Sequence, residues 1–427
     1  MDYPSLQYLS ICRSLLKDPV VIALEEAAKI QRQGPEKEKK LQQSKLSSLL
    51  LAKAEALGLQ GNIAVSYLIY LLGEGKNTAA QSIERYGKAG SGLSKALEQD
   101  MEILWPYLHL AATADLVSPL LSDYHPSYVA DFTYLTNLLQ GLQQASTPSQ
   151  AATFLLAHYE KFGSGDLARY MAFKLDEEAS LRGIEKFPLL NYDDLIGYER
   201  QRERLRRNTE NFITGKQANN VLLTGARGTG KSTAVKALVN MYHTQGLCLV
   251  QISRSQLQGL DTLMNKLGHI RNKKFILFLD DLSFDENESA YKQLKSVIDG
   301  GLTPQPDNML LYATSNRRHL LKETWVDRND EADEVYRSDS LNEAISLSDR
   351  FGLILHYGEL AQEEYLQIIA KELGKLGYVL TDEQLRIQGV RWEMEHSGRN
   401  GRVAIQFVKW YAGNHHQVVT PLQEVSI

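Results

Sequence analysis

"LLTGARGTGKSTAVKALV", residues 222–239, is the stretch around which the rest of the chain is read. An apolar run of strand character stops at a glycine-rich turn, and Lys231-Ser232-Thr233 then opens a helical pattern. Gly225, Ala226, Arg227, Gly228, Thr229, Gly230, Lys231 and Ser232 fit GxxxxGK[ST] in full. Glycines let successive backbone amides point inward with no Cβ in the way, so the loop can wrap phosphate oxygens. The helix that follows offers its N-terminal amides and positive dipole end to the same anion. Lys231 then neutralises β- and γ-phosphates, and the Ser232 hydroxyl coordinates Mg²⁺. With Thr233, these are the expected nucleotide-binding residues, and ATP with Mg²⁺ is the expected pair. The competing reading is a chance glycine turn between a strand and a helix.

Two further apolar runs fit the first. "KFILFLDDLSFD" (274–285) is a strand ending in Asp280, placed to hold Mg²⁺ through water. Asp281 follows, where a carboxylate orients or deprotonates the attacking water. It is one methylene shorter than glutamate, so slow hydrolysis or help from Asp285 or Glu286 is expected. A cap is the alternative role for Asp281. "LLYATSNRRHL" (310–320) ends in Asn316, whose amide can reach both a γ-phosphate and a water. The alternative there is a turn asparagine.

Outward from these runs, residues 193–356 alternate strand-like and helical stretches: "NVLLTG", "LCLVQIS", "KFILFLDD", "NMLLYATSN" and "FGLILHY". That alternation predicts an α/β core, a parallel sheet between two helical layers. From 357 to 427 the pattern turns helical, with Thr381 and Gln384 at the spacing of a capping box. Residues 1–180 read as an all-α N-terminal domain, a scaffold or a docking unit, in which "LQYLSICRSLL" has helical spacing. Pro188 and "NYDD" interrupt the periodicity, so 181–192 is a linker. A length of 427 residues suits such a multi-domain chain.

A net charge of −5 argues against a constitutively basic nucleic-acid coat, without excluding a local basic face. Two distant cysteines, Cys12 and Cys248, suggest neither zinc nor a disulfide scaffold, and a reducing compartment follows. The start "MDYPSLQYLS" lacks a secretory pattern, and the longest apolar run, near 63–72, is too short to span a membrane. A soluble cytoplasmic protein is expected.

With its three strands in order, the chain resembles the AAA+ P-loop ATPases. More narrowly it resembles a bacterial family of uncharacterised predicted AAA+ ATPases, a domain of unknown function. The resemblance covers roughly 150–412, including "HYEKFGSGDLARYMAF", and the narrower match rests on "LDDLSF", "ATSNRRHL" and "SLSDRFG". "DLIGYERQRERL" (194–205) looks like the N-terminal box, which implies that Ile196 flanks the adenine. "SLSDRFG" (346–352) looks like the arginine-finger segment, which implies that Arg350 reaches into a neighbour's site; an ion pair with a carboxylate such as Asp349 is the alternative. "SGRNGRVAIQF" (397–407) looks like the sensor 2 region of a helical lid, which points to Arg402 and, less closely, Arg399. Arg317 and Arg318 face a neighbour or solvent.

What the resemblance implies is nucleotide-dependent assembly, a homo-oligomer (a ring or a nucleotide-dependent assembly) with Lys231, Asp281, Asn316, Arg350 and Arg402 as the catalytic set. The chain departs from the pattern at Asp281, in the acidic stretch 322–344, and at 253–263, where Leu257, Gln258, Gly259 and Leu260 stand in place of an aromatic pore loop. The favoured activity is Mg-dependent ATP hydrolysis coupled to remodelling or assembly of an unidentified protein client. The first alternative is a DNA-associated loader or motor, motivated by the arginines of "YERQRERLRRNTENF" (198–212), although interleaved glutamates favour internal ion pairs. The second is a slow ATP-dependent switch. A small-molecule kinase fits the phosphate loop but not the lid.

Overall fold

The computed structural model of the chain describes residues 3–108, 116–129, 133–176, 178, 180–282, 294–295, 298, 305–316, 350–396 and 398–415. Its first part is helical: α1 (Pro19–Gln33), α2 (Glu36–Leu57), α3 (Ile63–Gly73), α4 (Thr78–Tyr86), α5 (Ser91–Leu108), α6 (Thr133–Gln144), α7 (Pro148–Phe162) and the short α8 (Gly165–Arg169). Starts are set by capping side chains. Asp18 accepts from Val20 and Val21 N–H, Asn62 from Val65 and Asn77 from Ala80. The apolar run at 63–72 lies in α3, buried on nearly every side in one cluster of helical-domain side chains.

Two expectations are corrected here. "LQYLSICRSLL" is not an α-helix but two 3₁₀ turns, Leu6–Tyr8 and Arg13–Lys17. The buried Asp100 carboxylate accepts the Ser10 and Cys12 N–H groups at 2.8 and 2.7 Å, which takes those amides out of any helical ladder. Nor does the helical part reach 180. Residues Ala172–Leu175 (β1) and Leu181–Gly183 (β2) form an antiparallel hairpin that extends the sheet of the core, so the boundary falls near 170. The span 181–192 is therefore partly strand rather than wholly linker.

The sheet continues with β3 (Val221–Gly225), β4 (Leu247–Ile252), β5 (Lys274–Leu279), β6 (Met309–Ser315) and β7 (Leu353–Tyr357), the five runs expected from the pattern. Its order is β2-β1-β4-β5-β6-β3-β7, parallel except for β2. Alternate residues of the central strands feed two cores: Phe275, Leu277 and Leu279 join one, Ile276 and Phe278 the other. Burial on both faces explains their unbroken apolar sequences. Helices α9 (Glu199–Ile213), α10 (Lys231–Tyr242) and α11 (Leu260–Gly268) accompany the sheet. A last unit, α12 (Gln362–Lys375), α13 (Asp382–Glu395) and α14 (Gly401–Asn414), packs around Tyr365, Ile369, Leu373 and Phe407. The Thr381–Gln384 box caps α13 with both reciprocal bonds. The fold is a three-layer α/β core with a helical C-terminal unit and a helical N-terminal part.

In the sheet β3 stands between β6 and β7, so the strand order reverses beside it. Crevices at such switch points, at the carboxyl ends of the strands, are where α/β sheets bind ligands.

Candidate functional site

The loop after β3 carries the first half of the site. Gly225 has φ +135°, and a Cβ there would run into the carbonyl oxygen of Tyr357 at the end of β7. Gly228 has φ +81°, and a Cβ there would meet Asn400 Oδ1 at 2.5 Å and Arg402 Cβ at 2.9 Å. Glycine is thus required twice, once for the turn against β7 and once for the approach of the lid. Lys231 opens α10 and is buried, with Nζ donating to the carbonyls of Gly225 and Ala226 at 2.7 Å each. Burial lowers its pKa from the ordinary lysine value, against the opposing pull of Asp281 and Asp280. An ammonium so placed gains strongly from a phosphate charge.

The carboxyl ends of β5 and β6 supply the second half. Ser232 Oγ donates to Asp280 Oδ1 at 2.5 Å, and Thr314 Oγ1 donates to the same oxygen at 2.7 Å. Thr314 Oγ1 also accepts the Asp281 N–H at 2.9 Å, which ties the two strand ends together. Asp281 sits in the left-handed region at φ 58°. Its Oδ1 accepts from the Asn316 amide, and its Oδ2 lies 3.4 Å from Arg227 Nη2. Asn316 Oδ1 in turn accepts from Lys231 Nζ at 3.4 Å. Ser232 and Asp280 form a hard-oxygen pair, and Mg²⁺ fits it because that ion takes one or two protein oxygens plus phosphate oxygens and water.

The lid closes the third side. Arg402 N–H reaches the Gly228 carbonyl at 3.4 Å, and Arg402 lines a cleft of about 950 Å³ together with Lys231, Ser232, Asp280, Asp281 and Asn316. Apolar and aromatic side chains line the cleft as well: Ile196, Tyr198, Tyr357, Leu360 and Ile368. Tyr198 and Tyr357 rings sit 4.6 Å apart, and Tyr198 Oη donates to the Gly358 carbonyl at 2.6 Å. Lys371 of α12 bonds both the carbonyl and the carboxylate of Asp194, at 2.8 and 2.9 Å. That pair lowers the Asp194 pKa below the usual carboxylate value. Thr314, Tyr198, Tyr357 and Lys371 were not singled out in the sequence. They belong to no phosphate-loop pattern, and only the tertiary meeting of β6, β7 and α12 brings them in.

Two arginines lie elsewhere. Arg350 precedes β7, at the end of the sheet away from the phosphate loop, and is not among the residues lining the cleft. Arg399 is directed at Glu393 and Glu359, at 3.3 and 3.9 Å. Leu257 and Leu260 of the 253–263 stretch are core residues, 2% and 1% exposed. Asp285, Glu286, Arg317, Arg318, Asp349 and the acidic stretch 322–344 lie outside the described residues.

A family model described as a protein of unknown function (DUF815) matches residues 168–415. No curated protein matches the chain. Among solved structures, the chain is similar to the Thermotoga maritima RuvB Holliday junction branch migration motor, at 19% identity and a TM-score of 0.36, over 52% of this chain and 64% of that one. The chain thus spans less than two thirds of the motor's length. It is also similar to the FIGL-1 AAA domain in complex with ADP, at 19% identity and a TM-score of 0.36, over 52% of this chain and 73% of that one.

Proposed function

The chain belongs to the family described as a protein of unknown function, DUF815, and on that premise we propose that it is a Mg-dependent ATPase whose sites are shared between copies of the chain. The observation that carries this reading is the convergence of Lys231, Ser232, Asp280, Asp281, Asn316 and Arg402 on one cleft. In the proposed roles, the 225–230 amides and Lys231 hold the triphosphate, Arg402 brings the lid onto it, and Ile196, Tyr198 and Tyr357 flank the base. Ser232 and Asp280 hold Mg²⁺, which supplies positive charge at the phosphate oxygens when bound. Asp281, oriented by Asn316, takes the proton of the attacking water as the bond to the γ-phosphorus forms and the bond to the ADP oxygen breaks. Arg350 supplies charge stabilisation to a neighbour's γ-phosphate, a contribution worth several powers of ten in rate in phosphoryl transfer.

The work done with that turnover is assembly or remodelling of a protein client. The buried Leu257 and Leu260 speak against a threading paddle. A test of the shared site mixes Lys231→Ala, which has a dead site and an intact finger, with Arg350→Ala, which has the reverse. Each alone is expected to be inactive, and the mixture to regain turnover. A mixture as inactive as its parts, while both variants still assemble, would remove the shared-site reading.

One observation supports the DNA reading as second choice. In α9, Glu199 and Glu203 pair with Arg202 and Arg206, at 3.6 and 2.7 Å. Arg200, Arg204 and Arg207 lie exposed one helical turn apart, with no such carboxylate among the described residues. DNA-stimulated turnover that fades steeply with salt would bring this reading forward.

A further inference from the structure

Among the described residues, the helical part meets the α/β core at the small turn Arg271-Asn272-Lys273, beside a contact of α7 with His243–Gln245. Arg271 N–H donates to the Glu84 carbonyl at 2.6 Å, and Asn272 Nδ2 donates to the Tyr159 carbonyl at 2.9 Å. These acceptors lie in the last turns of α4 and α7, at the negative ends of the helix dipoles. The Tyr159 carbonyl also takes the Gly163 N–H at 2.9 Å, so both its lone pairs are used. Lys273 is 2% exposed, and its Cε lies 3.1 Å from the place a Gly163 Cβ would occupy. Glu84, the acidic group facing it from the helical part, is anchored by Ser164 Oγ at 2.6 Å. Burial lowers the pKa of Lys273 and raises that of Glu84, while each charge partly offsets the cost to the other. Buried charges of this kind are tolerable only while both sides stay docked.

The same turn runs straight into β5. Lys274 N–H bonds the Gly246 carbonyl at 3.0 Å, and Phe275 N–H bonds the Asn308 carbonyl at 2.8 Å. Six residues later the strand delivers Asp280 and Asp281 to the cleft. β5 lies inside the sheet, paired on both sides and buried on both faces, so it transmits a push at one end to the other.

We infer that the helical part is a lever fixed to the base of β5, so that displacing it moves Asp280 and Asp281 and alters hydrolysis without altering nucleotide binding. This inference rests on the ATPase reading above. A client bound to the helical part would then act on turnover through the 271–273 turn, not through a loose tether.

The test uses the full chain with Asn272→Ala and Glu84→Gln, singly and together. Leu46→Ala, a core change in α2, is the control for general loosening of the helical part. Readouts are ATP turnover, affinity for a non-hydrolysable ATP analogue, and amide exchange at 271–282. The turn variants are expected to lower kcat by about 2- to 30-fold with affinity unchanged. They should speed exchange at both ends of β5, while Leu46→Ala leaves kcat alone. Faster exchange at 271–274 with kcat and the 281–282 amides unchanged would overturn the lever. So would Leu46→Ala lowering kcat as much as the turn variants. If the wild type does not hydrolyse ATP, the ATPase reading has failed; exchange at 281–282 then decides whether the mechanical link exists. Asn272→Ala removes only one side-chain amide, so the test does not depend on a variant that unfolds.

Discussion

Asp281 is held on three sides: its N–H by Thr314, one oxygen by Asn316 and the other near Arg227. Such a carboxylate is well oriented but short. Asp281→Ala is expected to keep nucleotide affinity and lower kcat by about 10²- to 10⁴-fold, the usual share of a general base. Single-turnover phosphate release beside an equilibrium binding assay checks this. Thr314 has no role that its sequence context announces, yet its hydroxyl bonds both Asp280 and Asp281. Thr314→Val keeps the shape and removes both bonds, so about 1–3 kcal/mol of stability and a larger fraction of kcat should go together. Denaturant melts and turnover on one preparation test that pairing. Lys231, Ser232 and Asp280 were legible in the sequence because their pattern is local. Thr314 was not, because a threonine in an apolar strand looks like any other β-branched residue.

At the scale of elements, the strands of the core could be read because a strand buried on both faces has a continuous apolar run. β1 escaped because "AFKL" is short and follows the helical pattern of α7 and α8 without a strong break. Its burial comes from pairing with β4, a partner far along the chain. The first helix was over-read for the opposite reason: its spacing is helical, but Asp100 claims the amides. The lid's docking on the phosphate loop is likewise tertiary. Gly228→Ala puts a methyl group against Asn400 and Arg402 at a positive φ, and should cost at least about 1 kcal/mol. Because the clash lies between loop and lid, nucleotide affinity should fall by more than stability. Titration with ADP, set beside a thermal melt, separates the two.

For the molecule as a whole, one buried histidine and one half-buried histidine lie near Lys273, where the helical part meets the core. His158 of α7 and His243, just after α10, each have a pKa lowered to about 4, first by burial and then by the Lys273 charge. Their unfolded value is about 6.5, so between the two values the unfolded chain binds more protons. Stability from these rings is therefore full above pH 6.5 and is lost as the pH falls toward 4, by on the order of 3 kcal/mol per ring. Glu84, raised by burial, works in the opposite sense. Denaturation at pH 7.5 and pH 5 should show a smaller loss in His158→Phe than in the wild type, and an equal loss would contradict a neutral buried ring.

The central claim is that the cleft between core and lid turns over Mg·ATP. Phosphate release per chain, measured for wild type and Lys231→Ala side by side over a range of protein concentrations, tests it most directly. Release by the wild type is expected to require Mg²⁺ and to rise per chain as copies assemble, with none from Lys231→Ala. Wild-type release that Lys231→Ala matches, or no release from the wild type at any concentration, would contradict it.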